Sequence, residues 1–397
     1  MTLDLNGVSR QIRKMGQDLR AHGTDLGQRL DKAVAALRSH ASSFEELRVK
    51  IECSKTYWPV ARPVEPLNAR HSLPPRPESY TIIATDGSQI EPDRHRAALC
   101  YLLNVGTVLL RYGADSKAVL QSHPMLAYSD DDLYIVSGNR RFLVQGHLLT
   151  VKRSIAETDI LASTSEHSID GSPIVGLQDG TLILQTLEGF GVEDELRDKL
   201  TGQFLDRLTR LRELGVPLAS YISRPRASDV SNALRIAACP NATANCGQHC
   251  REYLASDSEP CAWLAALPDR SVFELLPLEE GERSGLFLSS SKISLDRYGE
   301  HKVYFFYLNV GREIARVELP EWVARDARLL PLVHSAIFDQ CQRGDGYPRA
   351  LAEAHEKAVI GGADREVFWR LVESTLVGNR LSTKTSEKER SKRIRGL

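Results

Sequence analysis

Apolar and polar positions follow different periods in different stretches of this chain. Met15, Leu19, Leu26, Leu30 and Leu37 recur at spacings of four and seven, which predicts a helical hairpin or short coiled coil over roughly residues 1–55. Gly16, Gly23 and Gly27 interrupt that seam and weaken its intrinsic helicity. The arm therefore needs a surface to pack on: its own domain, a second subunit or another protein. Pro59, Pro63, Pro66, Pro74, Pro75 and Pro77 follow and predict an extended connector over the surface. Short β-branched runs then take over. Thr81–Thr85 predicts a core strand, Ala98–Tyr112 two paired strands, and Tyr134–Ser137 a continuation of their sheet.

A helical period returns from His147 to Ala162, with Leu148, Val151, Ile155, Ile160 and Leu161 facing the core. Ile174–Gly176 predicts a strand. Glu193–Leu214 predicts a long amphipathic helix on Leu196, Leu200, Leu205, Leu208 and Leu211, stopped at Gly215-Val216-Pro217. Leu218–Ser223, Val303–Val310 and Ile314–Leu319 predict further strands, and helices around Pro320–Gln342 and Pro348–Val359 close the core. Strand, meander, helix, strand, helix, strand is a mixed α/β order. It suits a ribonuclease H-like sheet with helices on its faces. The expected division is an N-terminal helical arm over 1–58, the connector over 59–79, and an α/β domain over 80–365. That domain carries an irregular insertion at about 226–300, and residues 366–397 form a last helix and a basic tail.

Composition narrows the function classes. At 397 residues, 42% hydrophobic and 26% charged, the chain has the balance of a soluble globular protein with a large core. No run of about 18 apolar residues indicates a membrane span. The start, Met1-Thr-Leu-Asp, carries acid where a secretory signal carries base, so a cytoplasmic location without disulfides is expected. A formal net charge of -1 argues against coating DNA with the whole surface and is compatible with a local basic groove. From Lys384 to Leu397 six Lys/Arg stand against two Glu, the pattern of a solvated tail.

The chemistry concentrates in a repeated dipeptide. Tyr80-Thr-Ile-Ile-Ala-Thr-Asp-Gly-Ser88 and Pro173-Ile-Val-Gly-Leu-Gln-Asp-Gly-Thr181 each deliver an aspartate from an apolar strand into a glycine turn followed by a hydroxyl. Asp-Gly alone is a common hairpin turn. Twice, at strand ends, it points to a divalent-metal site working on phosphate, because Mg²⁺ and Mn²⁺ take oxygen ligands. Between the two strands a helix carries Arg153 and Glu157 at i,i+4, the spacing of a surface ion pair. Asp159 and Glu166 lie nearby as alternative acids. Gly346-Tyr-Pro-Arg-Ala-Leu-Ala-Glu-Ala-His355 places Pro348 at a helix start. Tyr347 then stands at its mouth, and His355 lies two turns along it, able to bind metal or handle a proton. Ala350, Leu351 and Ala354 form the buried stripe.

Arg224 and Arg226, after the Leu218–Ser223 strand, are candidate phosphate clamps, with surface salt bridges the competing assignment. Four of seven cysteines cluster: Cys239, Cys246, Cys250 and Cys261, with His249 among them. In a reducing compartment such a cluster suggests structural Zn²⁺ or an iron–sulfur centre. Its spacing of six, three and ten intervening residues matches no standard knuckle. Cys53, Cys100 and Cys341 read as core fillers.

Asp-Gly-Ser, a helix Glu, Asp-Gly-Thr and Tyr-Pro-x-x-Leu-x-x-Ala-His, in that order over about residues 80–360, resemble the NurA nuclease family. The resemblance implies a ribonuclease H-like fold, a homodimer and DNA cleavage dependent on Mn²⁺ or Mg²⁺. It also implies a partner, the hexameric HerA ATPase, in DNA end resection, repair or defence. Carried over, Asp86, Glu157, Asp179 and His355 would hold the metal and Tyr347 would complete the site. Thr181 stands where the family frequently has Ser, which keeps the hydroxyl. Two other classes compete. An actin- or Hsp70-like ATPase also pairs Asp, Gly and Ser/Thr at strand turns, but Gly361-Gly362 lacks the adenosine-pocket pattern and no Walker motif is present. A non-catalytic adaptor would bind DNA or an ATPase ring through the helical arm.

Overall fold

In the computed structural model, residues 4–40, 43–188, 193–250, 260–276 and 278–381 are described. The basic tail expected from Lys384 onward lies outside them. Contacts divide the chain into two units: residues 73–222, 291–304 and 317–397, and residues 1–72, 223–290 and 305–316.

The first unit is built on β1 (Tyr80–Ile90), β2 (Tyr101–Tyr112), β3 (Lys117–Ala127), α1 (His147–Glu166), β4 (Ile174–Asp179), α2 (Asp194–Glu213) and β5 (Leu218–Ile222), followed by α3 (Leu329–Arg343), α4 (Arg349–Ala358) and α5 (Gly362–Gly378). The strands lie in the order β3-β2-β1-β4-β5. The β1–β2 and β2–β3 pairs are antiparallel, whereas β1–β4 and β4–β5 are parallel. Parallel neighbours need crossovers, and α1 and α2 supply them. This meander joined to parallel strands is the ribonuclease H-like mixed sheet expected from element order. Its core gathers Ile83, Leu149, Val151, Leu161, Leu196, Leu200, Leu208 and Leu218; of the expected faces Val151, Ile155, Leu161, Leu196, Leu200, Leu208 and Leu211 are buried, whereas Leu148, Ile160 and Leu205 are half-buried.

Two strand expectations are corrected. Ala98–Tyr112 is not a pair of strands: Tyr101–Tyr112 runs as one, because its partners are β1 and β3. Tyr134–Ser137 does not continue the sheet; it pairs with Arg140–Leu143 as a separate hairpin. Among the described residues no helix is long and apolar enough to cross a membrane.

In the second unit the helix Leu5–Ser39 buries Leu30, Ala33, Val34 and Leu37 in a core with Val230, Leu234, Phe273, Phe287 and Tyr307. The expected seam holds at Leu30 and Leu37 alone. Met15, Leu19 and Leu26 are exposed, and the core shared with the helices Asp229–Ala237 and Asp269–Leu275 takes the arm's residues Leu30, Ala33, Val34 and Leu37. Residues within 226–300 are less irregular than expected, holding these two helices. Cys53 is exposed, against the expectation of a core filler, while Cys100 and Cys341 are buried.

Candidate metal centre

Asp86 lies within β1, with Gly106 of β2 directly opposite. It is therefore not in a turn, contrary to the reading of its Asp-Gly dipeptide. Its neighbour Gly87 serves close approach instead. A Cβ there would overlap Glu157 Oε1 and stand 2.8 Å from Arg153 Cγ, so α1 packs where only a glycine fits. A Cβ on Gly106 would overlap the Ala354 carbonyl and stand 2.6 Å from Ala358 N. Side chains alternate along a strand, so the Gly87 and Gly106 sides are opposite faces of the sheet. α1 covers one and α4 the other.

Asp179 ends β4, and Gly180 follows with φ +85°. This second Asp-Gly is a true turn, in the left-handed region that favours glycine. The hydroxyls that follow the dipeptides both donate to protein acceptors. Ser88 Oγ donates to the Ala358 carbonyl, and Thr181 Oγ1 donates to Glu318 Oε2 at 2.7 Å.

Asp86, Glu157 and Asp179 line one cavity of about 300 Å³, together with Arg153, Gln178 and Thr181. Glu157 is 8% exposed and its carboxylate oxygen lies 3.1 Å from Arg153 Nε. The expected surface pair is thus a pair at the cavity wall. The other two acids of α1 point elsewhere: Asp159 meets Arg207 at 3.1 Å and Glu166 meets Arg210. Burial pushes the Glu157 carboxyl up to about 8; Arg153 opposes the rise, and the negative charges of Asp86 and Asp179 add to it. Asp179 is also raised, by desolvation first, with Tyr347 opposing and Asp86 adding.

His355 and Tyr347 each hold one aspartate. His355 Nδ1 is 2.8 Å from Asp86 Oδ2, and Tyr347 Oη donates to Asp179 Oδ1 at 3.1 Å. Burial, then the charge of Asp179, pushes the Tyr347 hydroxyl well above its ordinary range, so it remains a donor. Ala350, Leu351 and Ala354 are buried as expected. The end of α4 is fixed by Asn104 Nδ2, which donates to the Ala358 carbonyl at 2.8 Å. Tyr221, opposite Asp179 in register, packs its ring edge-on to Tyr347 with centroids 5.5 Å apart. Sequence reasoning missed Gly106, Asn104 and Tyr221. A glycine inside a β-branched strand was the one available signal, since it marks close backbone approach.

The donor set suits a hard divalent cation: three carboxylates whose like charges are held together at one cavity, two of them already oriented by a second residue. Among the described residues no three His, Cys, Asp or Glu side chains stand at metal-holding distance. Arg224 and Arg226 are exposed and belong to the other unit. There, Cys239, Cys250 and Cys261 line a cavity of about 330 Å³ with His249, and Cys246 is not among its lining residues.

A family model described as the NurA domain matches residues 80–360. Among solved structures, a crystal structure of NurA with manganese is 13% identical, covering 77% of this chain and 91% of that one, with a TM-score of 0.36. LC9-RNase H1, a type 1 RNase H with the type 2 active-site motif, is 10% identical over 40% of this chain and 69% of its own, with a TM-score of 0.23. No curated protein sequence matches.

Proposed function

The chain belongs to the NurA domain family, and on that premise we propose that it is a divalent-metal-dependent deoxyribonuclease hydrolysing phosphodiester bonds. One observation carries the reading: Asp86, Glu157 and Asp179, far apart in sequence, line the same cavity. Bound Mn²⁺ or Mg²⁺ would supply the Lewis acid that activates water and neutralises charge at the phosphate. The three carboxylates would hold it. His355 orients Asp86 and, with its side chain 63% exposed, offers its other ring nitrogen for proton transfer. Tyr347 orients Asp179 and keeps its proton.

Family membership supports a homodimer working in the cytoplasm with a HerA-type hexameric ATPase at DNA ends. Clustered thiols lining one cavity support structural Zn²⁺ or an iron–sulfur centre at Cys239, Cys250 and Cys261, with His249 or Cys246 as fourth ligand. Metal analysis of the purified protein checks that centre.

The nuclease test uses end-labelled single-stranded DNA with Mn²⁺, alone and with a HerA-type ATPase. Wild type should cleave, while Asp86→Ala and Asp179→Ala should each lose more than about a hundredfold in rate, as expected when a group stabilising transition-state charge is removed. Intact DNA from wild type in both arms sinks the nuclease reading. ATP hydrolysis by the isolated chain would favour the actin-like alternative.

A further inference from the structure

We propose that Arg153 is the resident counter-cation of the carboxylate cavity: it pairs with Glu157 while no divalent ion is bound, releases it on metal binding, and then holds a non-bridging oxygen of the scissile phosphodiester. The inference rests on the metal-centre reading above and goes beyond it by assigning this residue two alternating partners.

Several observations converge on the assignment. Arg153 lines the same cavity as Asp86, Glu157 and Asp179, and among the described lining residues it carries the one cationic side chain. Its Nε is 3.1 Å from Glu157 Oε1. The two partners are unequally accessible, with Arg153 31% and Glu157 10% exposed at the side chain. The acid is anchored in the wall while the guanidinium retains a route outward. The stem of Arg153 lies against Gly87, since a Cβ there would be 2.8 Å from its Cγ and 3.0 Å from its Cδ. The chain is thus led over the bare face of β1 into the cavity. Carboxylates gathered at one cavity favour a counter-charge there, and the guanidinium supplies one unit of it. A divalent ion held by these carboxylates would take an oxygen of Glu157, so the two cations would compete for the same acid. An arginine released beside a bound phosphodiester has the planar fork that matches its oxygens.

A purely architectural Arg153, one that locks Glu157 in place for the metal, makes the opposite forecast, and this separates the two. Mn²⁺ is titrated into metal-free full-length wild type and Arg153→Gln by calorimetry, with melting curves with and without Mn²⁺, and cleavage of a single-stranded oligonucleotide is measured at saturating Mn²⁺. Removing the competitor should tighten Mn²⁺ binding by roughly threefold to tenfold, the scale of one partly exposed ion pair. It should also enlarge the Mn²⁺-induced rise in melting temperature. Cleavage efficiency should fall by roughly tenfold to a hundredfold, because the phosphate loses its partner. Affinity and kcat/KM thus move in opposite directions. Arg153→Lys should keep near wild-type Mn²⁺ affinity and still cleave poorly, because a point charge lacks the fork. Weaker Mn²⁺ binding in Arg153→Gln overturns the proposal, as does a parallel fall of affinity and cleavage in either variant. Wild type that binds no Mn²⁺ at all removes the metal-centre reading itself. That failure is seen before any variant is compared, so the two cannot be confused.

Discussion

Asp86-Gly87 and Asp179-Gly180 are the same dipeptide at the same cavity, and their glycines answer different physical demands. Gly87 has ordinary strand geometry inside β1, and its missing Cβ makes room for the Glu157 and Arg153 side chains of α1. Gly180 has open space where a Cβ would stand and a φ of +85°. It lets the chain turn at the end of β4. One glycine is selected by its neighbours and the other by its own backbone. The aspartates differ in the same way: Asp86 is 18% exposed at the side chain and held by a histidine, while Asp179 stands at a strand end and is held by a tyrosine.

The contrast can be broken experimentally. Gly87→Ala should have the largest effect, because overlap with Glu157 Oε1 and the Arg153 stem forces both side chains out of their places in the cavity wall. A loss of about 1–3 kcal/mol is expected from overpacking, with metal-dependent cleavage abolished; chemical denaturation and the Mn²⁺ titration read both. Next is the pH dependence of the metal-free protein. Folded Glu157 is raised to about 8 from an ordinary 4.5, so the folded chain keeps a proton that the unfolded chain gives up. Its contribution is fully present below about 4.5 and is lost as pH rises to about 8. Melting temperatures in chelator should show wild type losing stability across that window relative to Glu157→Gln; parallel curves would refute the assignment.

Gly180→Ala meets no clash, so the left-handed backbone alone should cost about 1–2 kcal/mol, with cleavage nearly retained. If Gly87→Ala and Gly180→Ala lose activity alike, the distinction between the two dipeptides is wrong. The smallest effect is expected from Tyr347→Phe. It removes one hydrogen bond to Asp179, so kcat should drop by less than about tenfold, the scale of a single neutral donor. A loss as deep as that of Asp179→Ala would instead make Tyr347 indispensable to the chemistry.

Much of this was legible from local pattern. The apolar periods of α1 and α2 named their buried faces, and the β1, β4 and β5 runs marked the sheet, because burial on one face forces a period on any helix or strand. Where the pattern was silent, long-range partners decided. Tyr134–Ser137 looks like any half-buried strand, and its hairpin partner Arg140–Leu143 could not be distinguished from a sheet edge. Met15, Leu19 and Leu26 have a seam's spacing, yet they are exposed, since spacing reports which residues share a face and not what covers it.

By itself, then, the sequence determined which elements form and which donors exist: two strand-borne aspartates, an acidic helix, and a Tyr-Pro…Ala-His helix. Tertiary structure alone decided which donors count. The rotational phase of α1 against β1 turns Glu157 inward and sends Asp159 to Arg207 and Glu166 to Arg210. The close approach permitted at Gly106 brings His355 to Asp86. Helix periodicity places residues on a face, whereas the angle and depth at which that face meets a sheet come from packing between segments distant in sequence, where a single absent Cβ sets the distance.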